Sequence, residues 1–158
     1  MNTYLVTYQY THVDEVSGAV KLKKTQVLVQ AADVIDCAAT VHEINDQDME
    51  ITNMQKQPNV SHIDRILVKK REKDEEYNYW KIQVEIPNEE GSPSKETMFL
   101  YAKDSQEANK LANGEVSQDR MILNYRITLV QETKIECALK SINSIVTTLK
   151  HETEDAEV

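Results

Sequence analysis

Four histidines (His12, His42, His62 and His151) and two cysteines (Cys37 and Cys137) are the residues of this 158-residue chain best suited to metal or proton chemistry. Zinc needs three or four N/S/O ligands, usually delivered in closely spaced pairs. His42-Glu43 and His12 near Asp14 place such residues side by side, and neither neighbours a second pair. Cys37 and Cys137 are too far apart in sequence for a zinc knuckle and too few for a disulfide framework. Both read as small apolar core residues. Val16-Ser17-Gly18 reads as a turn and not as a nucleophile elbow. Carboxylates are abundant, but a general acid–base pair needs one of them buried. Three glycines leave no material for a Gly-rich phosphate loop. The expectation is a non-enzymatic protein without catalytic residues, metal or cofactor.

A second chemistry is recognition of single-stranded nucleic acid. Tyr4, Tyr8 and Tyr10, with Trp80 as a counterpart, would stack bases, and Lys21, Lys23 and Lys24 would contact phosphates. The competing reading places these aromatics in the core, under a helix. A formal net charge of −9 works against a phosphate backbone. It suits the opposite idea of an acidic mimic of DNA that occupies a basic cleft.

The elements that must position these residues follow from periodicity. Tyr4, Val6, Tyr8 and Tyr10 alternate with Thr3, Thr7 and Gln9, the period of a half-buried strand. Asp14 to Gly18 is a turn, and Lys21–Gln30 is the returning strand. Val34, Cys37, Ala38, Val41 and Ile44 then recur at helical spacing, with Asp33 as N-cap and Asn45-Asp46 as the stop. Strand-like runs at Met49–Gln55 and Ile63–Lys70 flank Pro58-Asn59. The charged run from Lys69 to Glu76 is a connector.

The plan then repeats. Trp80, Ile82, Val84 and Ile86 alternate about 76 positions after Tyr4. A turn at Asn88–Pro93, a strand at Thr97–Ala102 and a helix capped by Asp104 follow. Asp104 and Glu107 have capping-box spacing, Ala108, Leu111 and Ala112 form the apolar face, and Asn113-Gly114 is the expected stop. A strand at Met121–Gln131 completes the second strand–strand–helix–strand set. Finally Ile135, Leu139, Ile142, Ile145, Val146 and Leu149 suggest an amphipathic helix over 134–150. Glu152, Glu154, Asp155 and Glu157 mark a disordered acidic tail.

Three stretches resemble an uncharacterised domain found in Bacteroidetes genomes, their phages and their conjugative elements. They are Tyr79-Trp80-Lys81-Ile82-Gln83-Val84, Met98-Phe99-Leu100-Tyr101-Ala102 and the run from Tyr125 to Ile135. The first half is similar in layout, through Val29-Gln30-Ala31-Ala32-Asp33, and the resemblance spans roughly residues 3–136. Lys134 stands where that family has Pro, and here the chain continues. The resemblance implies a mobile-element or phage setting and brings no catalytic residues with it.

These readings give an α+β fold of two similar β-β-α-β halves, at 1–73 and 74–133. The sheet is mainly antiparallel, with helices packed on one side. A C-terminal helix over 134–150 and a tail over 151–158 follow. The function expected is a protein-interaction or accessory module of a phage or mobile element that acts on a host protein, with homo-oligomerisation through the helix and strand edges. Leu139, Ile142, Val146 and Leu149 are the expected partner-binding residues. No apolar run reaches the roughly 20 residues of a membrane span, and the N-terminus lacks signal-peptide features, so the setting expected is cytoplasmic with reduced thiols.

Overall fold

A computed structural model describes residues 1–45, 48–88, 91–120 and 124–142, with backbone only at 118–120. Among them the chain forms nine strands and two helices, a mixed α+β fold. The strands are β1 (Asn2–Val13), β2 (Val20–Ala31), β3 (Met49–Gln57), β4 (Val60–Ile63), β5 (Ile66–Leu67), β6 (Asn78–Ile86), β7 (Ser94–Ala102), β8 (Arg126–Glu132) and β9 (Ile135–Lys140). The helices are α1 (Val34–Ile44) and α2 (Ser105–Arg120).

The chain divides into two compact units. One holds Met1–Gln57, Ile66–Arg71 and the segment from Cys137; the other holds Pro58–Arg65 and Glu72–Glu136. Their sheets run β3-β1-β2-β9-β5 and β4-β7-β6-β8. The β4–β7 and β5–β9 pairs are parallel, and the hairpin and β3/β8 pairs are antiparallel. Consecutive halves at 1–73 and 74–133 therefore do not describe the units. The segment 58–65 joins the sheet of the second half, because Val60 and Ile63 pair with Thr97 and Phe99.

In the first unit the expected alternation holds. Tyr4, Val6 and Tyr8 from β1 and Val27, Val29 and Ala31 from β2 pack with Cys37 and Val41 of α1 and with Cys137 and Leu139 of β9. Burial of each Val, Leu or Tyr side chain contributes about 1.5–3 kcal/mol, so this face drives the unit's assembly. Asp33 accepts a 2.8 Å bond from the N–H of Asp36, and Asp36 reaches back to the N–H of Ala32 at 2.9 Å. Two orphan donors at the start of α1 are thereby satisfied. Asn45 closes the helix through Nδ2 to the Val41 carbonyl at 2.7 Å.

The second unit is built likewise. Trp80, Ile82, Val84, Met98, Leu100 and Ala102 face Ala108, Ala112 and Val116 of α2. Asp104 accepts from the N–H of Glu107 at 2.8 Å. Asn113-Gly114 does not stop this helix, which runs on to Arg120. Val116 adds a further turn to the buried stripe of Ala108 and Ala112. Asn113 is fixed within the helix by a 3.0 Å bond to the Asn109 carbonyl and by Tyr125, whose hydroxyl donates to it at 2.7 Å. Packing of Val116 outweighs the roughly 1 kcal/mol that a helical glycine costs.

Two further expectations are corrected. Ile63–Lys70 is not one strand: β4 ends at Ile63 and Arg65 takes a left-handed φ of 54°. Asp64 forces the break, because its Oδ2 accepts the Tyr101 N–H at 3.0 Å while its own N–H donates to the Phe99 carbonyl at 2.9 Å. Nor does a helix start at Lys134. Residues 135–140 form β9, with Ile135, Cys137 and Leu139 all buried. A spacing of four, as from Ile135 to Leu139, suits period two as well as period 3.6, and Cys137 between them decides for the strand. The remainder of the expected helix, from 143 onward, and the tail lie outside the described residues.

The ladders of the two units correspond rung by rung. Tyr4↔Lys56 in the first recurs as Trp80↔Glu132 in the second, and Thr7↔Asn53 as Gln83↔Leu129. Both ladders then shift register, between Thr7 and Tyr8 and between Gln83 and Val84. The extra residue of each bulge is a threonine, Thr52 or Thr128, whose Oγ1 donates to the carbonyl of Thr7 at 3.2 Å or of Gln83 at 3.4 Å. The hairpins match too: Asn2↔Ala31 corresponds to Asn78↔Ala102, and Tyr10↔Lys23 to Ile86↔Ser94. There the correspondence stops. β6–β7 ends at Ile86↔Ser94, whereas β1–β2 continues through Thr11↔Leu22, His12↔Lys21 and Val13↔Val20.

Candidate interaction surface

The three additional rungs form a two-stranded arm. β3 pairs with β1 only as far as Tyr10↔Met49, so residues 11–13 have β2 alone as a neighbour. Its tip is closed by the N–H of Asp14 on the Ala19 carbonyl at 2.9 Å and the N–H of Gly18 on the Asp14 carbonyl at 2.8 Å. Gly18 sits at φ 70°, where a side chain would be strained. The Asp14 carboxylate accepts from the Val16 N–H at 2.9 Å. That bond, helped by Ser17, holds its pKa below the usual carboxylate range, so the tip stays negative.

The two faces of the arm differ. Alternation from the register puts Thr11, Val13, Val20, Leu22 and Lys24 on one face and Tyr10, His12, Lys21 and Lys23 on the other. Val13, Val20 and Leu22 are 57%, 66% and 61% exposed, and Val16 at the tip is 97% exposed. A ribbon with both faces in water is marginal alone, and clustered exposed aliphatics mark an interaction surface more often than chance.

The expected sites separate on this scaffold. Tyr4 and Tyr8 are buried against α1 and cannot stack on a base; Tyr10 is partly buried at the edge of the same core. Lys70 seals that end by donating to the Tyr8 hydroxyl at 3.3 Å, with its Nζ 5.9 Å from the ring centroid. Burial opposes the lysine's charge, but the Tyr8 hydroxyl and the neighbouring Cys137 and Tyr10 outweigh it and leave its pKa above the usual range. Lys21, Lys23 and Lys24 are exposed, on the arm and at its base. Leu139 is fully buried in β9 and is not a docking residue, Ile142 is 54% exposed, and Val146 and Leu149 lie outside the described residues.

The histidines do not converge. His12 is on the arm and His42 is exposed on α1, while His151 lies outside the described residues. His62 Nε2 is 2.7 Å from Asp64 Oδ1 and 3.7 Å from Glu115 Oε1. No cluster of three His, Cys, Asp or Glu suited to a metal occurs among the described residues. Cys37 is buried, and burial, with a smaller contribution from the Asp36 charge, pushes its thiol up to about 12. It is therefore a neutral core group and not a nucleophile. An open, polar cleft of about 600 Å³ lies at the start of β4 and β7, lined by Asn59, Ser61, Ser94 and Lys95 among others.

The arm's apolar face was missed by reading β2 from Lys21 and weighing its lysines alone. Its signal lay in the unequal hairpin lengths of the two halves. No protein-family model matches the chain, and no curated protein matches it. Among the described residues, no helix is long and apolar enough to cross a membrane.

Proposed function

We propose that the protein is a non-catalytic interaction module whose docking element is the arm, serving as an accessory factor of a mobile genetic element. The observation that carries this reading is the arm itself: Thr11↔Leu22 to Val13↔Val20 extend past the last rung the two hairpins share. Among the described residues those rungs are largely exposed, yet they retain aliphatic residues on one face. We further infer that the two units descend from one duplicated strand–strand–helix–strand module, a reading supported by the matched bulges at Thr52 and Thr128. The arm is then an elaboration of one copy.

The test is recovery of partners from the native host with tagged wild-type protein and Leu22→Glu, each eluate treated with nuclease. A stoichiometric protein that survives nuclease and is lost with Leu22→Glu supports the module. A second reading rests on Tyr10, His12, Lys21 and Lys23 sharing one face: single-stranded nucleic acid lies along that face. Recovery of nuclease-sensitive nucleic acid that is lost with Lys21→Glu/Lys23→Glu selects it and overturns the first.

A further inference from the structure

We infer that the occupant of the arm's apolar face is the same face of a second copy, so that two arms stack antiparallel about a two-fold axis at the level of the His12↔Lys21 rung, between Leu22 and Val20. This rests on the arm being the docking element and names what it docks.

Self-complementarity is the argument. Along the apolar face the ribbon is ordered by charge: Lys24, opposite Gln9, stands at the base, Leu22, Val20 and Val13 occupy the middle, and Asp14 and Glu15 end the tip. The His12↔Lys21 level is midway between the Thr11↔Leu22 and Val13↔Val20 rungs, and as many residues from Gln9 as from Glu15. A two-fold axis there lays the aliphatic stretch of one arm on that of the other. It also brings each acidic tip over the Lys24 of its partner, two copies of one favourable pairing. Parallel stacking would instead set lysine on lysine and carboxylate on carboxylate. An interface of this kind uses one patch on both subunits, the usual form of a dimer.

The long sheet edges are poorer candidates. β3 and β8 each carry the threonine bulge, and a bulge twists an edge away from continuous pairing. A handful of aliphatic side chains per copy falls below a standard-size interface, so the dimer should be weak and concentration-dependent.

Sedimentation of the purified full chain over a wide concentration range is the experiment. Wild type should dimerise, and Leu22→Glu should weaken the dimer at least about tenfold, since a buried unpaired carboxylate costs more than 1.4 kcal/mol. Lys24→Glu should weaken it as well, and Lys24→Glu with Glu15→Lys should recover most of the loss, because the charge order is then reversed but still complementary. Circular dichroism matching wild type keeps unfolding from imitating dissociation. A wild-type monomer at every concentration, a dimer indifferent to Leu22→Glu, or no rescue by the paired reversal would overturn the antiparallel arm dimer. If the monomer still retains a host protein through Leu22, only the self-docking inference falls; if it retains neither protein nor copy, the interaction reading falls with it.

Discussion

Thr52 and Thr128 hold the same post in different sheets: each is the extra residue of a bulge, and each donates its hydroxyl to the strand opposite, to Thr7 or to Gln83. A bulge leaves one carbonyl poorly served by the ladder, and the threonine hydroxyl supplies the missing donor. Replacing Thr52 by Ala should cost about 0.5–1.5 kcal/mol, the net worth of a neutral hydrogen bond. Thr128→Ala should cost no more, its bond being the longer. Urea melts of both variants check this, and an unchanged midpoint for Thr52→Ala would show that water serves the carbonyl equally well.

Gly114 lies inside α2, and a Cβ placed there meets nothing within 4 Å. Gly114→Ala should therefore stabilise the protein by about 0.5–1 kcal/mol through the unfolded chain's lost freedom. A lower thermal midpoint would contradict a helix continuous through this position.

Asp64 holds several groups at once. Its carboxylate accepts from Tyr101 N–H and lies 2.7 Å from His62 Nε2, and its carbonyl accepts from the Tyr79 hydroxyl at 3.2 Å. Asp64→Ala strands the Tyr101 N–H in a buried position and should cost about 1–3 kcal/mol or more. Asp64→Asn, which keeps an acceptor, should cost less, and equal losses in chemical denaturation would count against this role.

Cys37 is neutral when folded, and its raised pKa of about 12 fixes the sign of a pH effect. The unfolded thiol ionises at about 8.5. Its contribution is fully present below that value and is lost as pH rises toward 12. Between those limits stability should fall, and a thiol reagent at pH 8 should label Cys37 only as fast as the protein opens. Prompt labelling of native protein would refute the buried assignment.

Tyr8→Ala should cost about 3–5 kcal/mol, as large core aromatics do. Tyr8→Phe should lose only the bond from Lys70. Equal stability of Tyr8→Ala and wild type would return this residue to the surface.

The sequence disclosed what local periodicity encodes. Tyr4-Val6-Tyr8, Asp33 before Val34 and Asp104 before Ser105 state their roles in residue type and spacing, and the structure places them so. It concealed what depends on distant partners. The spacing of Ile135, Leu139 and Ile142 reads as a helix until β5 and β2 are set beside the strand that holds the first two. Asn113-Gly114 reads as a stop until Val116 finds a core. The arm's Leu22 reads as an ordinary strand residue while Val13 and Val20 fall outside the expected strands, because no local signal says where the sheet behind them ends.

The exchanged strands carry a consequence for how the protein is made. β9 belongs to the sheet that β1 and β2 begin, and its pairing with β2 must await residues synthesised after the strands of the second half. The unit that starts first is the last to close. While the second half is still being synthesised, β2 offers an unpaired edge to other chains. Any stop codon between Glu132 and Ile135 would release a protein whose second sheet has all its strands and whose first sheet lacks β9.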